Sequence, residues 1–180
     1  MLGPWLDRPD ARARIGWMST LTGLDLLHLG TEADADAIKD TAVTQPLIVA
    51  LGLLAAAELD LTGAGAVAGH SVGELTAAAA AGVLHPDTAI AFAALRGREM
   101  AKACGQASTG MSAVLGGDPG EVVERIEELG LTAANRNGGG QTVAAGLLDR
   151  LAQLKDTPPA KARVVPLPVA GAFHTGYMAS

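Results

Sequence analysis

Five residues, Gly69-His70-Ser71-Val72-Gly73, restrict this chain more than any other segment. A Gly-x-Ser-x-Gly run set between a strand and a helix is a turn too sharp for side chains at its flanks. It leaves the serine hydroxyl exposed at a helix N-terminus. The flanking sequence supplies that setting. Residues 65–69 are short, apolar and glycine-bounded, which predicts a buried parallel strand. Residues 74–81 are helix-forming and stop at Gly82. Ser71 is thus a candidate nucleophile. The Val72 N–H is placed to donate to a developing oxyanion, helped by the helix dipole. The five residues alone leave a second reading open, an incidental serine in a glycine-rich turn.

Composition narrows the class. A chain of 180 residues can bury one good core, or one core and a small subdomain. Apolar residues make up 49% and aromatics only 3%, which fits helices packed on a Val- and Ala-rich sheet and argues against disorder. Glu58, Asp60, Glu74 and Asp87 interrupt every apolar run before it reaches the length of a membrane span. The N-terminus has no basic start and no apolar signal core. A single cysteine, Cys104, excludes an internal disulfide framework and fits a reducing cytoplasm. A net charge of −6 without a dense basic patch argues against nucleic acid. The histidines (His28, His70, His85 and His174) are scattered, so no metal site is expected.

Along the chain, residues 11–22 and 33–39 read as amphipathic helices joined by a loop around Gly30. Residues 44–58 read as a buried helix that Thr44 can cap, with Pro46 in its first turn. A further helix runs from near Pro86 to about Cys104 and carries Arg96. From residue 110 the order becomes strand (110–116), helix (118–129), strands (131–135 and 141–146), helix (147–155) and strand (162–168). That is the βαββαβ order of a ferredoxin-like unit. The expected organisation is an α/β core over residues 1–107 and 169–180, with an inserted ferredoxin-like subdomain over 108–168. Only one core strand is visible before the insert, and the chain stops shortly after His174. The expectation is that parts of a larger domain lie beyond both ends.

A serine hydroxyl needs a base, and histidine is the usual one near neutral pH. His174, which follows the return from the last strand, is the candidate. His70 adjoins Ser71 and points away from it at a sharp turn, so it reads as a packing or orienting group. His28 and His85 read as solvated loop residues. An ordinary Ser-His-Asp hydrolase would offer an acid between Ser71 and His174, yet Asp118, Asp149 and Asp156 all fall in the subdomain. Arg96, beside Gly97, could clamp a carboxylate in a bidentate pair, or could be solvated. Gln45 could offer its amide to a ligand, or bond its own helix terminus.

Six ordered blocks then carry a resemblance. They are Thr44-Gln45-Pro46, Gly69 to Glu74, Arg96-Gly97-Arg98-Glu99-Met100, and residues 110–116, 135–146 and 166–175. In these blocks the chain resembles the malonyl-CoA:acyl-carrier-protein transacylases of fatty-acid and polyketide synthesis. The resemblance implies an α/β-hydrolase-like core with a ferredoxin-like insert, and a ping-pong reaction. Ser71 takes malonyl from CoA and passes it to the phosphopantetheine thiol of acyl carrier protein, and His174 serves as base. It further implies that a main-chain carbonyl orients His174 and that Arg96 pairs with the malonyl carboxylate. Phe173 resembles the malonyl-type form of its motif. Gln45, His70, Val72, Asn135, Asn137 and Gln141 are implied to line the substrate. No cofactor, metal, nucleic acid or membrane is expected, and a monomer is. The family's N-terminal Pro-Gly-Gln-Gly segment and its stretch beyond the histidine motif have no counterpart here. Two other readings are a serine esterase or thioesterase with the same turn, and an inactive fragment of the family.

Overall fold

A computed structural model describes residues 1–179. By internal contacts the chain divides into two compact units, the first Met1–Glu99 and the second from Met100 onward.

The first unit is helical. It comprises α1 (Ala11–Thr22), α2 (Leu26–Thr31), α3 (Thr41–Ala56), α4 (Gly73–Ala80) and most of α5 (Pro86–Cys104), which runs on into the second unit. Its core gathers Leu2, Ile15, Leu26, Leu47, Val49, Leu53 and Ile90, all buried. Burying side chains of this size stabilises a fold by about 1.5–3 kcal/mol each.

Helix α3 organises this unit through two contacts that exclude a methyl group. A Cβ on Gly97 of α5 would lie 2.5 Å from the Thr41 carbonyl oxygen, and one on Gly52 of α3 would lie 2.6 Å from Thr76 Oγ1 on α4. The Thr41 hydroxyl also donates to the Gly97 carbonyl at 3.0 Å. One end of α3 is thereby held to α5 and its middle to α4.

Local chemistry moves several expected boundaries. The helix expected from Thr44 starts a turn earlier, because Asp40 caps it by accepting from the Ala42 N–H at 2.8 Å. Pro46 is therefore interior, and its missing N–H leaves the Ala42 carbonyl without its helical partner. Thr44 donates instead to the Ile38 carbonyl. Residues 33–39 form turns, not a helix, since Asp34 accepts from the Ala37 N–H at 2.8 Å and competes with helical bonding. The helix lies at α2, capped by Asp25, with Gly30 inside it against Leu2. No strand forms over residues 65–69, which are exposed. A parallel strand needs a neighbour to pair its N–H and C=O groups, and among the described residues this segment has none.

The second unit holds β1 (Thr109–Gly116), α6 (Pro119–Glu128), β2 (Thr132–Gly138), β3 (Gln141–Leu147), α7 (Leu148–Asp156) and β4 (Ala162–Pro166). The strands pair antiparallel in the order β2-β3-β1-β4, the ferredoxin-like arrangement. On one face Val114, Ala144 and Val164 meet Val122, Ile126, Leu151 and Leu154 from the helices. On the other, Met111, Val143 and Ala145 pack with Ala172 and Phe173. Asp118 caps α6 through the Gly120 and Glu121 N–H groups. Among the described residues no helix is long and apolar enough to cross a membrane.

Replacing Gly97 with alanine puts the new methyl against main chain, so the substitution is expected to lower stability by about 1–3 kcal/mol. Gly16, an exposed position in α1 with open space around it, should gain about 0.5–1 kcal/mol from the same change. Urea unfolding of the two variants checks both signs.

Candidate active site

The serine turn begins where a side chain is impossible. A Cβ on Gly69 would lie 2.2 Å from the Gly73 carbonyl oxygen and 2.5 Å from the Glu74 nitrogen. At Gly73 nothing stands within 4 Å, so only the first glycine of the motif is required by space. The main chain then folds back through the Gly73 N–H to His70 carbonyl bond at 3.0 Å and the Glu74 N–H to Ser71 carbonyl bond at 3.1 Å. Ser71 is left in the left-handed region at φ 55°, an uncommon conformation for a residue with a side chain. Such strain persists where surrounding contacts over-determine it, and it concentrates at functional sites. Val72 is buried at the entry to α4, and its carbonyl accepts from the Leu75 N–H at 3.2 Å.

Arg96 reaches this turn from α5. Its Nη2 donates to Ser71 Oγ at 3.3 Å, and its Nη1 donates to Gln45 Oε1 at 2.5 Å. Gln45 is 5% exposed, so the amide oxygen is held in place by packing on α3. Burial lowers the Arg96 pKa from its ordinary value, and the more distant Glu74 carboxylate opposes that shift. Among the described residues, no carboxylate stands within ion-pairing distance of the guanidinium. The result is a cation partly withdrawn from water, fixed by two neutral oxygens, next to a candidate nucleophile. A group of that kind is complementary to a carboxylate that arrives with a reacting acyl group. The sequence left Arg96 with a solvated alternative and Gln45 with a self-capping one; the structure joins the two side chains by a hydrogen bond.

In the second unit His174 is exposed and is also left-handed, at φ 60°. Its loop is pinned on both sides. The Ala172 N–H donates to Thr109 Oγ1 at 3.2 Å, and Thr175 Oγ1 donates to the Ala172 carbonyl at 2.6 Å. Gly171 is tight against Cys104, whose Sγ would lie 2.6 Å from an added Cβ. Phe173 is half-buried on the Met111 and Val143 side of the sheet. Asn137 donates to Gln141 Oε1 at 2.7 Å across the β2–β3 hairpin, and Asn135 lies on β2. His70 is exposed, and so are His85 and His28, although His28 lies on α2 rather than in a loop. Thr41 and Thr109, which fix Arg96's helix and His174's loop, gave no signal in the sequence. Each acts on a partner more than fifty residues away. Among the described residues, no group of three or more His, Cys, Asp or Glu could hold a metal ion.

Comparison with known proteins places these features in a family. A family model described as an acyl transferase domain matches residues 16–180. A malonyl CoA-acyl carrier protein transacylase of Mycolicibacterium smegmatis is 58% identical, with all of this chain aligned to 63% of that protein. The crystal structure of MCAT from Mycobacterium tuberculosis superposes with a TM-score of 0.95 at 57% identity, covering 99% of this chain and 61% of that one. A type II polyketide malonyl-transacylase in complex with its acyl-carrier protein matches with a TM-score of 0.87 at 26% identity, over 99% of this chain and 61% of that one. The chain thus spans about three fifths of the relatives it matches. The fold is α/β, shared with these acyltransferases, whose architecture joins an α/β-hydrolase-like core to a ferredoxin-like subdomain.

The two glycines of the turn separate in experiment. Gly69→Ala should slow labelling of Ser71 by a fluorophosphonate at least about a hundredfold, since displacing a reacting group by an ångström costs that much. Gly73→Ala should leave the labelling rate within about twofold.

Proposed function

Because the chain belongs to the acyl transferase domain family, we propose that it transfers malonyl from malonyl-CoA to the phosphopantetheine thiol of an acyl carrier protein. The observation that carries this reading is the Arg96 guanidinium, 3.3 Å from Ser71 Oγ and without a carboxylate partner.

In the first half-reaction Ser71 Oγ attacks the thioester carbonyl and His174 takes the hydroxyl proton. The Val72 N–H stabilises the oxyanion, and the CoA thiolate leaves with the proton from His174. In the second, the carrier thiol gives its proton to His174 and attacks the malonyl-serine ester, and Ser71 recovers its proton. Arg96 holds the free carboxylate of malonyl throughout, and Gln45 holds Arg96. An acetyl group would leave that cation without a counter-charge, so selectivity is a matter of charge pairing. Phe173 narrows the acyl pocket, while His70, Asn135, Asn137 and Gln141 line the path of the thioester arm. The reaction needs no cofactor or metal, and we place it in the cytoplasm, in fatty-acid or polyketide synthesis, with a monomeric protein.

Support comes from the relatives' names, which specify malonyl, CoA and acyl carrier protein, and from the pairing of Arg96 with the serine turn. Intact mass measurement after brief mixing with malonyl-CoA tests the proposal. A malonyl adduct is expected on the unmodified chain, absent in Ser71→Ala and lowered at least about tenfold in Arg96→Ala. Adding holo carrier protein should move the adduct onto the carrier. Adduct lost to water without reaching the carrier would favour an esterase, and a folded chain that forms no adduct would refute the transferase reading.

A further inference from the structure

The helix-covered face of the second unit holds a cleft of about 130 Å³, between the β1–α6 turn and the β2–β3 hairpin. One water needs about 10–15 Å³ by this kind of measure, so the cleft has room for about ten water-sized groups and takes a small organic acid such as butyrate. Glycine backbone forms its floor. Gly117 is left-handed at φ 79°, and a Cβ there would meet Val122 at 3.0 Å and the Ala160 carbonyl at 3.2 Å. Pro119, Val122 and Val123 of α6 give one wall an apolar surface.

Two donors converge on this space. Thr142 stands opposite Val114 on β1 and opposite Arg136 on β2, and residues directly opposite share a face of the sheet. Val114 packs with Val122, which fixes that face as the helix side. Thr142 is only 8% exposed, yet its hydroxyl bonds to no other described residue. Since no side-chain oxygen sealed from solvent lacks a partner, the hydroxyl reaches the cleft. Arg136 also lines it, and among the described residues its guanidinium has neither ion pair nor hydrogen bond. Asp118 sits at the start of α6, but its carboxylate is committed to the Gly120 and Glu121 N–H groups. Arg136 is the one charged side chain in the described lining.

We propose that this cleft binds a short-chain monocarboxylate. Its carboxylate meets the Arg136 guanidinium and the Thr142 hydroxyl, and its aliphatic tail lies on Pro119, Val122 and Val123. The cleft lies on the face of the sheet opposite Phe173 and the loop of His174, and of the residues placed on the thioester path only Gln141 is among its lining. It does not depend on the transferase reading.

Titration of the 15N-labelled protein with sodium butyrate, followed by amide resonances, tests the assignment. Saturable shifts are expected over residues 116–123 and 136–142. Arg136→Gln should weaken binding at least about tenfold and Thr142→Val several-fold, with native spectra in both variants. Should one variant lose its native spectrum, the other decides. Four results overturn the proposal: no saturable shift, shifts confined to the surroundings of Ser71 and Arg96, equal binding by the folded variants, or saturation by inorganic phosphate but not by butyrate.

Discussion

The contact between Gly97 and the first turn of α3 is the constraint on which the serine site depends. With 2.5 Å between an imagined Cβ and the Thr41 carbonyl, only a glycine lets α5 come so close. Arg96 is the residue immediately before that glycine, and Gln45 lies one helical turn beyond Thr41. The backbone approach therefore sets the two side chains within bonding range before either forms a hydrogen bond. Gly52 does the same for α4, seating Thr76 against α3 and carrying the serine turn with it. A helix with little polar chemistry of its own thus brings together a serine hydroxyl, a cation and an amide.

The state of Arg96 follows from that placement. Removing a guanidinium from water is unfavourable unless its donors are satisfied, and burying one with no counter-charge is worse. Here one donor is met by Gln45 and another by Ser71, both neutral oxygens. The charge itself is met only at longer range by Glu74. Such an arrangement is tolerable in the resting protein and improves when a carboxylate enters, which is the physical basis of the proposed preference for a charged acyl group. Ser71 adds a second departure from local preference, a left-handed backbone that the clash-limited turn at Gly69 enforces.

Much of this was legible in the sequence, and unevenly. The βαββαβ order was readable because each strand and helix of the second unit has its own period and its own caps, Asp118 above all. The tight turn that holds Ser71 was readable because the constraint at Gly69 is local. The first unit was harder. The apolar run at 65–69 has the composition of a strand but no strand beside it, and composition does not report neighbours. Asp34 and Asp40 redirected two helix boundaries through single side-chain bonds that periodicity does not detect. Arg96 and Gln45 were each ambiguous alone, because the bond joining them spans 51 positions. Thr41 and Thr109 were invisible for the same reason.

In the proposed reaction the acyl carboxylate meets Arg96 while its carbonyl is joined to Ser71. A crystal structure of the malonyl adduct, trapped with malonyl-CoA, measures this directly. Continuous density is expected from Ser71 Oγ to a malonyl group whose free carboxylate forms a bidentate pair with Arg96, with Gln45 still bonded to Nη1. An ester on Ser71 whose carboxylate points to solvent, with Arg96 unmoved, would contradict it.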